Sequence, residues 1–151
     1  MLKPGDAAPE IALPDQDGSV VRVADLLEKG PVVLFFYPAA MTPGCTAEAC
    51  HFRDLAAEFA AAGAQRVGIS ADPVAKQKQF ADKHAFDYPV LSDADRSVAE
   101  AFGVRRAVGP LPNRRVTFVI GTDNRIAAVV KSELRMDKHA DDALEAVRTL
   151  A

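Results

Sequence analysis

Six consecutive apolar residues, Val32-Val33-Leu34-Phe35-Phe36-Tyr37, constrain this chain more than any other feature. Successive side chains of a strand point to opposite sides of the sheet, so a run with no polar alternate must be covered on both sides. Sheets of that kind lie between layers of helix. The run is far shorter than the roughly 20 apolar residues that span a bilayer.

The flanking patterns fit such a sheet. Ile11-Ala12-Leu13 and Val20-Val21-Arg22-Val23, on either side of Asp15-Gln16-Asp17-Gly18, predict an N-terminal β-hairpin. A short helical turn over Asp25 to Lys29 ends at Gly30-Pro31. Beyond the apolar strand the period becomes helical: Cys45, Ala49, Phe52, Ala56 and Phe59 fall on one face of one helix closed by Gly63. Arg66 to Ser70 reads as a strand. Asp72-Pro73 reads as an N-cap with proline in the first helical position, opening a helix that carries Val74, Phe80 and His84 and ends before Asp87. A short helix over Asp95 to Phe102 stops at Gly103. Val116 to Ile120 and Ile126 to Val130 predict a second hairpin, and Asp137 to Leu150 a closing helix with Ala140, Leu144 and Val147 inward. Strand–helix–strand units followed by a hairpin give an α/β, thioredoxin-like sandwich: a mixed central sheet flanked by helices, with an N-terminal β-hairpin extension.

A length of 151 residues suits one domain, residues 1–151, and no linker or repeat divides it. A net charge of −3 offers no footprint for nucleic acid or an anionic membrane, so neither is expected as a partner. Met1-Leu2-Lys3-Pro4-Gly5-Asp6 lacks the apolar core of a signal peptide, which points to the cytoplasm. There a close cysteine pair signals catalysis or metal binding rather than a permanent staple.

The chain has two cysteines, Cys45 and Cys50. With Thr42 as N-cap and Pro43 at the first helical position, Cys45 lies in the first turn, where free N–H groups and the dipole favour a thiolate. The competing reading makes Cys45 one more small apolar residue beside Phe52 and Phe59. In an intact helix, Cα atoms five residues apart are roughly 8.6 Å from each other and the side chains diverge by about 140°. A disulfide requires about 4.4–6.8 Å. The pair therefore bonds only if the first turns unwind. Cys45, Cys50 and His51 lack zinc spacing, His84 and His139 lie far away in sequence, and no C-x-x-C is present, so neither a metal nor a thioredoxin-type exchanger is favoured.

At these residues the chain resembles a peroxiredoxin. Pro38-x-x-x-Thr42-x-x-Cys45 is similar to that family's active-site motif, and Thr42-Pro43-Gly44-Cys45-Thr46-Ala47-Glu48-Ala49-Cys50 to the PrxQ subfamily, also called bacterioferritin comigratory protein. The likeness runs on through Gly68-Ile69-Ser70-Ala71-Asp72, Tyr88 to Asp93, and Arg115-Val116-Thr117-Phe118. It implies Cys45 as peroxidatic cysteine, Cys50 as resolving cysteine, Thr42, Arg115 and Pro38 as the rest of the catalytic site, and Glu48 as a supporting residue. The spacing to Thr117-Phe118 selects Arg115 over Arg114. It further implies a peroxide substrate, a thioredoxin-like reductant, no cofactor, no metal, and a monomer or weak homodimer. Two departures stand out: Ala39-Ala40 replaces a frequent Lys-Asp, and Gly121 a frequent Asp. A thiol–disulfide oxidoreductase and a redox-regulated binding protein remain rival readings, although neither requires Thr42.

Overall fold

The structure, a computed structural model, describes residues 1–150. A two-stranded ribbon, β1 (Ala12–Pro14) with β2 (Val20–Arg22), leads into the short helix α1 (Val23–Leu27). The apolar run forms β3 (Val32–Phe36). Helices α2 (Pro43–Asp54) and α3 (Ala56–Ala61) follow, then β4 (Gln65–Ser70), α4 (Val74–His84), β5 (Val90–Ser92) and α5 (Ser97–Phe102). The chain closes with β6 (Val116–Ile120), β7 (Ile126–Lys131) and α6 (Met136–Leu150).

The main sheet has the order β5-β4-β3-β6-β7. Strands β3, β4 and β5 are parallel; β6 pairs antiparallel with β3, and β7 antiparallel with β6, so β6 alone runs against the rest. Strand β3 is central, and its alternation explains the uninterrupted apolar run. Val32, Leu34 and Phe36 face one layer with Leu27, Val98 and Phe102; Val33 and Phe35, and Tyr37 just beyond the strand, face the other with Phe52, Phe59, Phe80 and Leu144. Every residue from Val32 to Tyr37 is fully buried. This is a thioredoxin-like fold: a mixed sheet between helical layers, with the small hairpin sheet at the N-terminus.

Gly68 of β4 lies where the layers are tightest. A Cβ there would lie 2.9 Å from Phe35 Cζ and 3.2 Å from Tyr37 Cε1. Its absence lets Phe35 stack on Phe52 of α2 with centroids 4.1 Å apart, which seats α2 against the sheet.

Three local expectations differ from the structure. The single helix from Thr42 to Gly63 is two, because Leu55 (φ −93°, ψ 20°) leaves helical geometry while keeping both halves' apolar faces inward. Asp72 does not cap α4; Pro73 occupies that position, and the Asp72 carboxylate turns away to accept from the Ala40 N–H at 2.7 Å and the Ser70 hydroxyl at 2.6 Å. Strand β5 has no counterpart in the sequence reading, since three residues behind Pro89 are too few to show a period.

Candidate active site

Strand β3 delivers the chain to Pro38, buried immediately after Tyr37. The next residues turn sharply. Met41 takes φ 70°, a left-handed conformation uncommon for a side chain of its size, and the Ala40 N–H is held by Asp72. This turn delivers Thr42 and Pro43 to the start of α2, with Thr42 as N-cap residue and Pro43 in the first turn. The Thr42 hydroxyl makes no capping bond. It donates instead to the Ala39 carbonyl at 2.7 Å, which leaves its oxygen lone pairs as acceptors.

Cys45 is 1% exposed and faces the sheet rather than solvent. Its sulfur meets Arg115, whose Nη1 and Nη2 lie 3.4 and 3.5 Å from Sγ. Donors to the sulfur thus come from a guanidinium on the sheet, where the sequence pointed to backbone N–H groups. Arg115 precedes β6, next to the exit of β3, and is buried, whereas Arg114 is exposed. Gly44 leaves room for it: a Cβ at that position would lie 3.2 Å from Arg115 Nη2.

Glu48, one helical turn after Cys45, is fully buried, and its Oε1 accepts from Arg115 Nη1 at 2.8 Å. A single guanidinium nitrogen is therefore shared between a carboxylate and the sulfur. Burial pushes the Glu48 carboxyl up to about 8 against the opposing pull of Arg115. Its other oxygen, Oε2, has no hydrogen-bond partner and sits 3.5 Å from His139 Nδ1. His139, also fully buried, meets the Thr117 hydroxyl through Nδ1 and the Ser132 carbonyl through Nε2, each at 2.8 Å. Burial holds its imidazole below its ordinary range.

Cys50 lies on the same helix, partly exposed, and both cysteines are free thiols. Burial is the main cause that pushes the Cys50 thiol up, opposed by the Arg53 charge. The second half of α2 is tied down by Tyr88, whose hydroxyl donates to the Ala49 carbonyl at 2.7 Å, and by Arg66, which donates to the Phe52 carbonyl at 2.8 Å. His51 and Asp141 meet at 2.7 Å.

The structure thus brings Thr42, Cys45, Glu48 and Arg115 to one end of the sheet, with Pro38 buried beside them in the chain and Cys50 set apart on the helix. His139 and Thr117, in the sequence only a remote imidazole and a spacing marker for Arg115, both belong to this buried cluster. One signal was available: His139, Ala143 and Val147 recur every fourth residue on the buried face of α6. A cavity of about 380 Å³ lies beside Arg115, lined by Arg106, Arg114, Lys131 and Glu133, but neither cysteine reaches it. Among the described residues no three His, Cys, Asp or Glu side chains cluster as metal ligands, and no helix is long and apolar enough to cross a membrane.

A thioredoxin-like sheet that presents a buried cysteine in a first helical turn, facing an arginine, defines a thiol-dependent peroxidase. The chain belongs to the AhpC/TSA family, whose model matches residues 4–129. A peroxiredoxin of Mycobacterium tuberculosis is 58% identical over 151 residues, covering 99% of this chain and 98% of the relative. Peroxiredoxin Bcp of Escherichia coli is 40% identical over 148 residues, 95% of this chain and 94% of its own. The crystal structure of peroxidoxin BcpB from Mycobacterium tuberculosis superposes with a TM-score of 0.95 at 57% identity, covering 100% of this chain and 99% of that one.

Proposed function

We propose that Cys45 is the peroxidatic cysteine and Cys50 the resolving cysteine of a peroxidase that reduces hydrogen peroxide and organic hydroperoxides. The two guanidinium nitrogens of Arg115 directed at a buried Cys45 Sγ carry this reading. Attack by the thiolate on the nearer peroxide oxygen forms an S–O bond and breaks the O–O bond. The leaving oxygen takes a proton and departs as water or alcohol, leaving a sulfenic acid. Arg115 supplies fixed, charged donors for the oxygen that becomes negative. Thr42 accepts the peroxide's proton-bearing end, because its own hydroxyl proton is engaged by Ala39. Pro38, with no N–H, keeps the inner wall free of a competing donor. Glu48 supports the site by holding Arg115.

Resolution requires α2 to open, since an intact helix separates the two thiols. Cys50 then condenses with the sulfenic acid, forming an intramolecular disulfide and releasing water. A thioredoxin-like dithiol protein returns both thiols by exchange and is itself oxidised. We read residues 1–151 as one domain acting as a monomer, or at most a weak homodimer, in the cytoplasm.

The test is intact-mass analysis after one equivalent of hydrogen peroxide. Wild type should lose two hydrogens, and Cys50→Ser should gain one oxygen in a form that sulfenic-acid reagents trap. Peroxide consumption by Cys45→Ser at the wild-type rate would overturn the assignment.

A further inference from the structure

The buried oxygen Glu48 Oε2 has no hydrogen-bond partner, and such an atom is costly to keep as part of an ionised carboxylate. The polar side chain it faces is His139, at 3.5 Å. The imidazole's protonation pattern follows from its other contacts. The Ser132 carbonyl can only accept, so Nε2 carries a proton. Nδ1 is left to accept from the Thr117 hydroxyl, or to hold a second proton of its own.

We propose that His139 is a positioning residue: with Glu48 it holds one proton beneath the Arg115–Cys45 contact, and so keeps the guanidinium charge directed at the sulfur. The proton rests between Oε2 and Nδ1, which a contraction of roughly 0.5 Å brings to hydrogen-bond distance. With it in place, the thiolate, the guanidinium and the Glu48–His139 pair sum to zero charge in a site closed to solvent. Without it, an ionised Glu48 and the thiolate compete for one guanidinium. The competition is direct, since Nη1 already serves both Oε1 at 2.8 Å and Sγ at 3.4 Å. A buried cluster with one net negative charge disfavours the thiolate.

Burial moves the two groups toward this shared state, pushing the Glu48 carboxyl up to about 8 and the His139 imidazole down, so the pair titrates as a unit. The charged and titratable groups that bear on it are Cys45 of α2, Arg115 before β6, Glu133 after β7, Asp142 of α6, and Tyr88 before β5.

The inference rests on Cys45 being the peroxidatic cysteine. The experiment is stopped-flow reduction of hydrogen peroxide by the reduced full-length chain, from pH 6 to 9, for wild type and His139→Asn. With one proton-holding partner removed, the proton leaves at lower pH. The variant should match wild type near pH 6 and fall behind it as pH rises, by about tenfold for each pH unit that the alkaline break is displaced. Glu48→Gln, which cannot release the proton, should remove the break with or without His139. A deficit of the same factor at every pH marks a packing role alone and overturns the proposal.

A second measurement needs no substitution. In wild type, the Glu48 carboxyl carbon and the His139 Nδ1 resonances should titrate together at the pH of the rate break; independent midpoints overturn the proposal. If Cys45→Ser consumes peroxide at the wild-type rate, the peroxidatic assignment fails and takes this inference with it. Cys45-dependent turnover with a flat variant ratio removes the inference alone.

Discussion

Tyr88 donates its hydroxyl to the carbonyl of Ala49 across 2.7 Å, fastening the middle of α2 one residue before Cys50. The bond crosses from the turn before β5 to the helix that carries both cysteines. It therefore bears on how readily that helix would open in the proposed resolution step. A buried neutral hydrogen bond contributes about 1 kcal/mol net. Tyr88→Phe should make local opening easier and speed disulfide formation from the sulfenic acid roughly fivefold, while the first reaction with peroxide changes little. Single-turnover measurements that resolve the two phases check this; equal acceleration of both phases, or of neither, would contradict it.

The orientation of the Thr42 hydroxyl leads to a second expectation. With its proton donated to Ala39, the oxygen acts as an acceptor toward the site. Thr42→Ser keeps that acceptor and should retain most activity. Thr42→Val preserves shape without it and should lower the peroxide rate constant by about 10²-fold, the scale of a lost proton-positioning contact. Similar rates for the two variants would remove Thr42 from the chemistry.

Arg115 presents two nitrogens to Sγ and one of them to Glu48 as well. A lysine offers the same charge as a point, without the fork. Arg115→Lys should therefore lose about 10²-fold in kcat/KM, in line with removal of one preorganised donor. Because the charge and a donor are retained, folding should be disturbed less than by Arg115→Met, which leaves the buried Glu48 Oε1 without its donor. Comparing the unfolding midpoints of the two variants tests the second half of this statement.

Glu48 also ties stability to pH. Its folded-state carboxyl titrates near 8, above its unfolded value of 4.5. The stabilisation linked to its protonated form is fully present below pH 4.5 and is lost as pH rises through about 8. Glu48→Gln has no such loss. Relative to wild type, its unfolding free energy should improve steadily between pH 5 and pH 8, whatever constant offset the substitution itself brings. Denaturant melts at several pH values measure the slope, and a difference that does not vary with pH would place the Glu48 carboxyl near its ordinary range.

Much of this architecture is legible in the sequence because its strongest signals are periodic. Val32 to Tyr37 announces a doubly covered strand, and the α6 spacing places its buried face. Of the motif residues, Cys45 meets Arg115 at the exit of β3, with Arg115 rather than Arg114 inward, and Thr42 lies at the start of the same helix as Cys45. What stays illegible depends on tertiary contacts. The break at Leu55 leaves the apolar spacing intact, so no pattern reveals it. Asp72 looks like a helix cap until Ala40 is found beside it, 32 residues away in the chain. His139 appears isolated in sequence, and only the approach of α6 to α2 brings it to Glu48.

The division at Leu55 has a consequence for how often this protein can work. Helix melting is cooperative, and a helix unbroken from Pro43 to Ala61 would drag Phe59 out of the core on every oxidation. With the helix ending at Asp54, the segment proposed to open is 12 residues long, and α3 can stay packed against the sheet. Under the proposed cycle each peroxide destroyed partly unfolds the molecule, which exposes it repeatedly to proteases and to its own neighbours. A short, bounded opening limits that exposure, so its working lifetime is set more by its chemistry than by accidental loss of the fold.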